Sequence, residues 1–246
     1  MTIRLLDILP AAFTVGNLLC GFLSVKYSLS GEPVYAAWLI ILATFFDALD
    51  GKLAKLAKSL LKFGVEFDSL ADLVSFGLAP VILLGTLSMS PLARWAPVLG
   101  FLFLLCGSYR LARFNIGFSG GEKTGFQGLP ITMAGGTLAA YVVFCDQLWG
   151  RVRFPEFLLL LLVLLSALMV STFPYETYPK LTWKGRRNRV KIVLFGACAA
   201  AIAVNPPVVF FPLALIYVLV GAAGGLYHLA RNLILSQLSP RDQGDR

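Results

Sequence analysis

The chain has 246 residues, of which 58% are hydrophobic and only 14% are charged, and its mean hydropathy is +0.79. Several apolar runs reach the length of about 18 residues that a membrane-spanning helix needs, and a soluble core could not bury them all. The composition therefore excludes an ordinary soluble protein and predicts an all-α integral membrane protein, a polytopic helical bundle. The opening segment lacks a basic region followed by a small-residue cleavage site, so we expect no signal peptide.

The net charge of +8 is unevenly placed along the chain. With a cytoplasmic N-terminus and about eight spans, 17 of the 21 Lys and Arg residues fall on the cytoplasmic side. The four outside are Lys26, Arg94, Arg151 and Arg153. This asymmetry follows the positive-inside rule and predicts a protein of the cytoplasmic membrane with its basic face inward. The membrane topology and contact with anionic lipids already account for the positive charge, so a nucleic-acid partner is not needed to explain it.

The predicted elements follow one another with short connectors. Residues 1–10 are expected to form a short interfacial helix. Eight spans are predicted, at about 11–30, 34–57, 66–89, 95–116, 129–148, 155–173, 190–204 and 207–229. We group them into a six-span catalytic core at 11–173, a basic cytoplasmic connector at 174–189, a two-span hairpin at 190–229 and a cytoplasmic tail at 230–246. The seventh span is short for a membrane crossing, and the exact topology of residues 190–229 is therefore left open.

Four aspartates interrupt the apolar sequence where spans 2 and 3 approach the cytoplasmic side. Asp47 and Asp50 are three residues apart near the end of span 2, and Asp68 and Asp72 are four apart at the start of span 3. These spacings put each pair on one face of its helix. Neighbouring antiparallel helices can turn such faces toward each other, so we expect the four carboxylates to share one cavity. Carboxylates near hydrocarbon are costly, which favours a functional role with a shared partner.

The expected partner is a pair of divalent metal ions, because bare carboxylates so close together would repel one another. Mg²⁺ and Mn²⁺ both suit carboxylate oxygens, and the residues do not choose between them. Gly51 and Ala54 remove bulk from the acidic face, and Lys55 adds a positive charge next to it. Together these residues predict a site for a metal-bound diphosphate, in which one carboxylate deprotonates a hydroxyl nucleophile.

The stretch from Asp47 to Asp72 has the pattern D-x2-D-G-x2-A-K-x8-G-x3-D-x3-D. It resembles the signature of the CDP-alcohol phosphatidyltransferase family, which ordinarily has Arg at the position of Lys55. Four further stretches resemble the phosphatidylserine synthase branch of that family: TVGNLLCGFLSV, DSLADLVSFGLAP, YRLARFN and GFQGLP. The resemblance covers roughly residues 8–135.

The resemblance implies a membrane enzyme, usually a homodimer, with its active site at the cytoplasmic end of the bundle. By it, the four aspartates would ligate two metal ions, and Asp72 would also be the general base. Gly51, Ala54 and Lys55 would line the CDP site, and Asn17 would reach the nucleotide from span 1. The implied substrates are CDP-diacylglycerol and L-serine, which give phosphatidylserine and CMP.

The end of span 4 offers groups for a zwitterionic acceptor such as serine, which needs a cation for its carboxylate and an acceptor for its ammonium group. Arg110 and Arg113 lie at the membrane level of the aspartates, with Asn115 beside them, and Glu66 is the candidate partner of the ammonium group. These four residues form the predicted serine site. The two arginines would also suit a second role as inside-positive anchors.

Two alternatives remain open on the sequence. One is the same transfer to another alcohol, namely glycerol 3-phosphate, an inositol phosphate or choline, and a phosphorylated acceptor would favour a denser basic pocket. The other is a cation transporter that uses the aspartates as a translocation site. Transporters commonly place such sites near the midplane, between repeats. Here the acids lie toward one end of their spans, and no repeat is apparent.

Overall fold

A computed structural model describes residues 5–57, 62–87, 94–119, 128–173, 175, 196–198 and 200–238. Within these ranges, side chains are not described for residues 5–10, 52–57, 62, 117–119, 155 and 232–238. The longer elements of the described chain are all helices, which confirms the predicted all-α architecture. Six helical stretches in the described part are long and apolar enough to cross a membrane, as expected for a polytopic membrane protein.

The described helices follow the predicted spans closely. They are α1 (Leu5–Leu29), α2 (Pro33–Ala57), α3 (Lys62–Asp72), a π-helical turn (Leu73–Leu78), α4 (Ala79–Leu87), α5 (Ala96–Ser119), α6 (Ile131–Trp149), α7 (Pro155–Val170) and α8 (Pro206–Leu238). Helix α3, the π-turn and α4 follow one another without a gap and together correspond to predicted span 3. Residues 5–10 continue directly into the first span, so this part of the predicted interfacial helix belongs to α1.

Part of the predicted topology stays a prediction. Helix α7 has 16 residues and is apolar, but it is shorter than the six long stretches. Predicted span 7, at 190–204, lies partly outside the described residues, although 196–198 and 200–204 are helical. The basic connector, apart from residue 175, and the end of the tail also lie outside the described residues. The total of about eight spans is therefore not tested.

Helix α1 buries a stripe of small and polar side chains against its neighbours. Its members are spaced alternately three and four residues apart and are Thr14, Asn17, Gly21, Ser24 and Ser28. This repeat keeps one helix face in line. Its four polar members are at most 5% exposed, and Ser24 Oγ donates a hydrogen bond of 2.9 Å to the carbonyl oxygen of Ala36 on α2. Small residues allow such close helix packing, and polar ones add hydrogen bonds between helices.

The π-turn that follows Asp72 lies at the centre of the bundle, between α1 and α6. Its Ser75 and Phe76 are fully buried. A Cβ atom on Gly21 of α1 would lie 2.7 Å from the Cα of Ser75, and one on Gly135 of α6 would lie 2.6 Å from the Phe76 carbonyl oxygen. Glycine at these two positions lets both helices approach the backbone of the turn. The segment that carries Asp72 is therefore held from two sides.

Large apolar side chains cover the outside of the bundle. Phe22, Phe101, Leu160 and Val220 belong to four different helices and are 62–66% exposed. In water, an exposed apolar surface of this extent would mark a contact with a membrane or with another protein. In a bilayer, the hydrocarbon chains of the lipids contact such side chains directly. The outer surface of the bundle is therefore suited to contact membrane lipids, which are the predicted surroundings.

Candidate active site

Helices α2 and α3 bring three aspartates together. One carboxylate oxygen from each of Asp47, Asp50 and Asp68 lies within 4.8 Å of the other two. Asp50 is 4% exposed, and Asp47 and Asp68 are half-buried. The two acidic faces predicted from the spacing therefore do meet. We call Asp47, Asp50 and Asp68 the acidic cluster.

Asp72 lies beside the acidic cluster and is held by α1. It is 6% exposed, and its Oδ1 accepts a hydrogen bond of 2.9 Å from Asn17 Nδ2. Its charge interacts with those of Asp47 and Asp68. The fourth aspartate thus belongs to the same site, although it is not one of the three closest carboxylates.

Helix α1 orients two of the carboxylates through its polar stripe. Thr14 Oγ1 donates to Asp50 Oδ2 at 3.2 Å, one turn before Asn17. The carbonyl oxygen of Asn17 accepts a hydrogen bond of 2.9 Å from Ser75 Oγ, which ties α1 to the π-turn. Thr14 was not among the predicted site residues. Its place three residues before Asn17, on the same helix face, is the signal that points to it.

The acidic cluster has the donors that a hard divalent cation requires. Asp68 Oδ1 is buried and has no hydrogen-bond partner among the described residues. Carboxylate oxygens are the ligands preferred by Mg²⁺ and Mn²⁺. A bound cation would satisfy this oxygen and relieve the repulsion among the carboxylates, so the residues present fit such ions.

The helix face next to the acidic cluster is open at Gly51. This residue is exposed, and a Cβ atom added there would meet no other atom within 4 Å. A ligand can therefore approach the backbone of α2 at this point. Ala54 and Lys55 lie further along α2, but their side chains lie outside the described residues. The CDP site predicted from these three residues stays a prediction.

Arg110 brings a positive charge to the acidic cluster from α5. Its side chain is 8% exposed, and its charge interacts with those of Asp72 and Asp47. Its guanidinium also lies 5.4 Å from the ring centroid of Phe114, within cation–π range. A buried guanidinium of this kind has carboxylates as its electrostatic partners and can bind a further anionic oxygen.

The other predicted acceptor residues contact different helices. Asn115 Nδ2 donates to Glu66 Oε2 and to Ser69 Oγ, at 3.1 Å in each case, and so links α5 to α3. Arg113 donates to backbone carbonyl oxygens at the end of α7. Asn115 is rotated by about 200° around α5 from Arg113, so the two side chains face different neighbouring helices. The roles of Arg113, Asn115 and Glu66 in serine binding stay predictions.

Comparison with protein families matches residues 7–173 to the model described as CDP-alcohol phosphatidyltransferase. The matched region is more than half of the chain and contains the acidic cluster, Asp72 and Arg110. The chain belongs to the CDP-alcohol phosphatidyltransferase family. The resemblance seen in the sequence is thus confirmed, and the family match extends past residue 135 to the end of α7. Members of this family depend on divalent metal ions.

Curated members of the family with similar sequences carry closely related names. The chain is 36% identical over 188 residues to the CDP-diacylglycerol–serine O-phosphatidyltransferase of Helicobacter pylori. This aligned region covers 74% of the chain and 78% of the relative. The chain is 37% identical over 183 residues to the protein of the same name from Methanocaldococcus jannaschii, with 74% and 80% covered. It is also 34% identical over 172 residues to the archaetidylserine synthase of Methanothermobacter thermautotrophicus, with 68% and 69% covered.

Proposed function

We propose that this family member transfers the phosphatidyl group of CDP-diacylglycerol to the hydroxyl of L-serine, giving phosphatidylserine and CMP. The observation that carries the proposal is the acidic cluster, three carboxylate oxygens within 4.8 Å of one another. Asp72 and the buried Arg110, whose charge interacts with that of Asp72, supply a base and a cation for the acceptor. The names of the similar proteins from Helicobacter pylori and Methanocaldococcus jannaschii support serine as that acceptor.

The proposed reaction exchanges one oxygen on the β-phosphorus for another. The serine hydroxyl oxygen attacks the β-phosphorus, the bond from this phosphorus to the bridging oxygen breaks, and CMP leaves with that oxygen. The hydroxyl proton passes to Asp72, the proposed general base. Because Asn17 Nδ2 binds Oδ1 of Asp72 at 2.9 Å, Oδ2 is the oxygen that takes the proton.

Two divalent ions, Mg²⁺ or Mn²⁺, would be held by Asp47, Asp50, Asp68 and Asp72. When bound, such ions neutralise the diphosphate and stabilise the departing oxygen. Thr14 supports this set from behind, because its hydrogen bond to Asp50 Oδ2 fixes the direction of that carboxylate.

The substrates are assigned to the two sides of the acidic cluster by the chemistry of the side chains. Gly51, Ala54 and Lys55 would line the CDP side. Asn17 Oδ1 is buried without a hydrogen-bond partner among the described residues, so it could accept a hydrogen bond from the nucleotide. Arg110 would pair with the carboxylate of serine. Glu66, together with Asn115, would receive the ammonium group.

We also propose that the site faces the cytoplasm in the cytoplasmic membrane and that the protein is a homodimer. The orientation rests on the distribution of Lys and Arg, and the dimer on the family resemblance. An Arg151→Cys variant in a cysteine-free background should react with a membrane-impermeant maleimide added outside intact cells. If the introduced cysteine is protected in intact cells and labelled only after lysis, the orientation is the opposite of the proposed one. Cross-linking in native membranes should give a doubled mass, and a monomer alone would contradict the dimer.

The acceptor is tested with purified protein, radiolabelled CDP-diacylglycerol and one alcohol at a time. We expect CMP and phosphatidylserine with L-serine and no lipid product with glycerol 3-phosphate, an inositol phosphate or choline. A lipid product with one of these alcohols, and none with serine, would show that this alcohol and not serine is the acceptor. Cation flux into vesicles without CMP release would favour the transporter. Because one similar protein is named archaetidylserine synthase, an ether-linked CDP-lipid is compared in parallel.

A further inference from the structure

Arg113 joins the last turns of α5 to the C-terminal end of α7. Its Nη1 donates to the Val170 carbonyl oxygen at 3.1 Å, and its Nη2 donates to those of Ser171 at 3.1 Å and Met169 at 3.4 Å. The last carbonyl groups of a helix have no partner within the helix, and cationic side chains near that end bind them and complement the helix dipole. Arg113 therefore caps α7 from a neighbouring helix.

Gly128 occupies the same corner from the side of α6. Its backbone has a φ of +82°, and its N–H donates to the Phe173 carbonyl oxygen at 2.9 Å. A Cβ atom on Gly128 would lie 2.8 Å from Arg113 Nη2 and 2.9 Å from the Ser171 carbonyl oxygen. Both the left-handed backbone and the lack of space require glycine. We call Arg113, Gly128 and residues 169–171 the α7 corner.

The α7 corner adjoins the acceptor side of the proposed active site. Arg113 lies one helical turn after Arg110, whose charge interacts with Asp72 and Asp47. Three residues after Gly128, α6 begins with Ile131, which packs closely on α5. A Cβ atom on Gly107 of α5 would lie 2.6 Å from Ile131 Cδ1. The position of the end of α5, and with it that of Arg110, is thus coupled to the α7 corner.

We propose that Arg113 is a positioning residue, which fixes Arg110 beside the aspartates through the α7 corner, and that Arg110 binds the serine carboxylate without direct help from Arg113. This inference rests on the proposed function, because it assumes an acceptor that carries a carboxylate. It replaces the serine-binding role predicted for Arg113 from the sequence. A guanidinium turned toward serine would give up these three hydrogen bonds to the carbonyl groups at the end of α7, of which those to Met169 and Ser171 are part-buried.

The two roles are separated by comparing L-serine with L-serinamide, in which a neutral carboxamide replaces the carboxylate. The ratio of kcat/KM for the two acceptors measures how strongly the enzyme uses the carboxylate. The variants are Arg110→Gln, Arg113→Gln, Arg113→Lys and Gly128→Ala, and the two Arg113 variants are also combined with Arg110→Gln. Gly128→Ala is the matched control, because it disturbs the α7 corner while both guanidinium groups are kept. If an acceptor reacts too slowly, inhibition constants of L-alanine and L-alaninamide supply the same ratio.

We expect Arg110→Gln to lower the serine-to-serinamide ratio by about tenfold or more, because it removes a charge-assisted contact to the carboxylate. Arg113→Gln and Gly128→Ala should each lower the ratio as well, because both loosen the α7 corner and displace Arg110 from the serine carboxylate. Arg113→Gln should not lower the ratio further in a protein that already carries Arg110→Gln, because Arg113 then has no guanidinium to position. Arg113→Lys should recover part of the activity, because it keeps a donor for the carbonyl groups.

The proposal is overturned if Arg113→Gln lowers the ratio while Gly128→Ala keeps it, if Arg113→Gln lowers the ratio further in the Arg110→Gln background, or if Arg113→Gln has wild-type kcat/KM for both acceptors. Where Arg113→Gln or Gly128→Ala does not fold, Arg113→Lys decides, because its effect on the ratio should vanish in the Arg110→Gln background if Arg113 acts through Arg110 and should persist there if Arg113 binds serine directly. A wild-type protein without serine-dependent CMP release would instead overturn the proposed function. The two failures are therefore distinguishable.

Discussion

Replacement of Asn17 by alanine should slow turnover, because it removes the hydrogen bond that orients Asp72. Asn17 is fully buried, and its Nδ2 lies 2.9 Å from Asp72 Oδ1. A hydrogen bond to a charged group contributes about 1.5–3 kcal/mol. At about 1.4 kcal/mol for each factor of ten, its loss should lower kcat by about 10- to 150-fold if the bond orients the base in the transition state.

The matched control for Asn17→Ala is Ser24→Ala. Ser24 lies on the same buried face of α1 and donates a hydrogen bond of the same length, 2.9 Å, but to the Ala36 carbonyl oxygen. Both variants should lose folding stability, and Ser24→Ala should keep wild-type kcat per folded molecule. CMP release is measured at saturating CDP-diacylglycerol and L-serine, with the folded fraction taken from thermal melts in detergent. An Asn17→Ala enzyme within about twofold of wild-type kcat, or an equal loss in Ser24→Ala, would refute the orienting role.

Three further predictions concern the metal site and the packing around it. Chelation of divalent ions should abolish CMP release, and added Mg²⁺ or Mn²⁺ should restore it; turnover that continues in excess chelator would contradict a metal requirement. Thr14→Val should raise the Mn²⁺ concentration for half-maximal activity by about 10- to 100-fold, whereas Thr14→Ser, which keeps the hydroxyl, should not. Equal Mn²⁺ titrations for the two variants would contradict a role of the hydroxyl in orienting Asp50. Gly135→Ala should lower the free energy of unfolding by about 1–3 kcal/mol, because its Cβ would crowd the backbone of Phe76. Gly85→Ala, where a Cβ meets no atom within 4 Å, should not destabilise, and equal melting temperatures for the two variants would contradict the packing argument.

The acidic cluster could be predicted because its determinants are local. Spacings of three and four residues put Asp47 with Asp50 and Asp68 with Asp72 on single helix faces, whatever the rest of the chain does. A short connector then leaves few ways to arrange the two helices. The apolar runs fixed the positions of most helices for the same reason, since their length must match the membrane.

The contacts of Arg113 and the π-turn could not be predicted, because they depend on helices distant in sequence. Arg113 binds carbonyl groups 56–58 residues away, and nothing in YRLARFN indicates which neighbouring helix it will face. The π-turn at 73–78 depends on the approach of α1 and α6, which glycines at 21 and 135 permit. Thr14 is intermediate, because its spacing from Asn17 is visible in the sequence but its partner Asp50 is not.

The central claim is that the acidic faces of α2 and α3 bind the metal ions on which turnover depends. It is tested most directly by counting the Mn²⁺ ions bound per chain in the presence of CDP-diacylglycerol, by electron paramagnetic resonance. We predict two ions for the wild-type protein, fewer for the folded Asp50→Asn/Asp68→Asn variant, and no CMP release from that variant. Equal Mn²⁺ binding by the two proteins, or wild-type turnover by the variant, would contradict the claim.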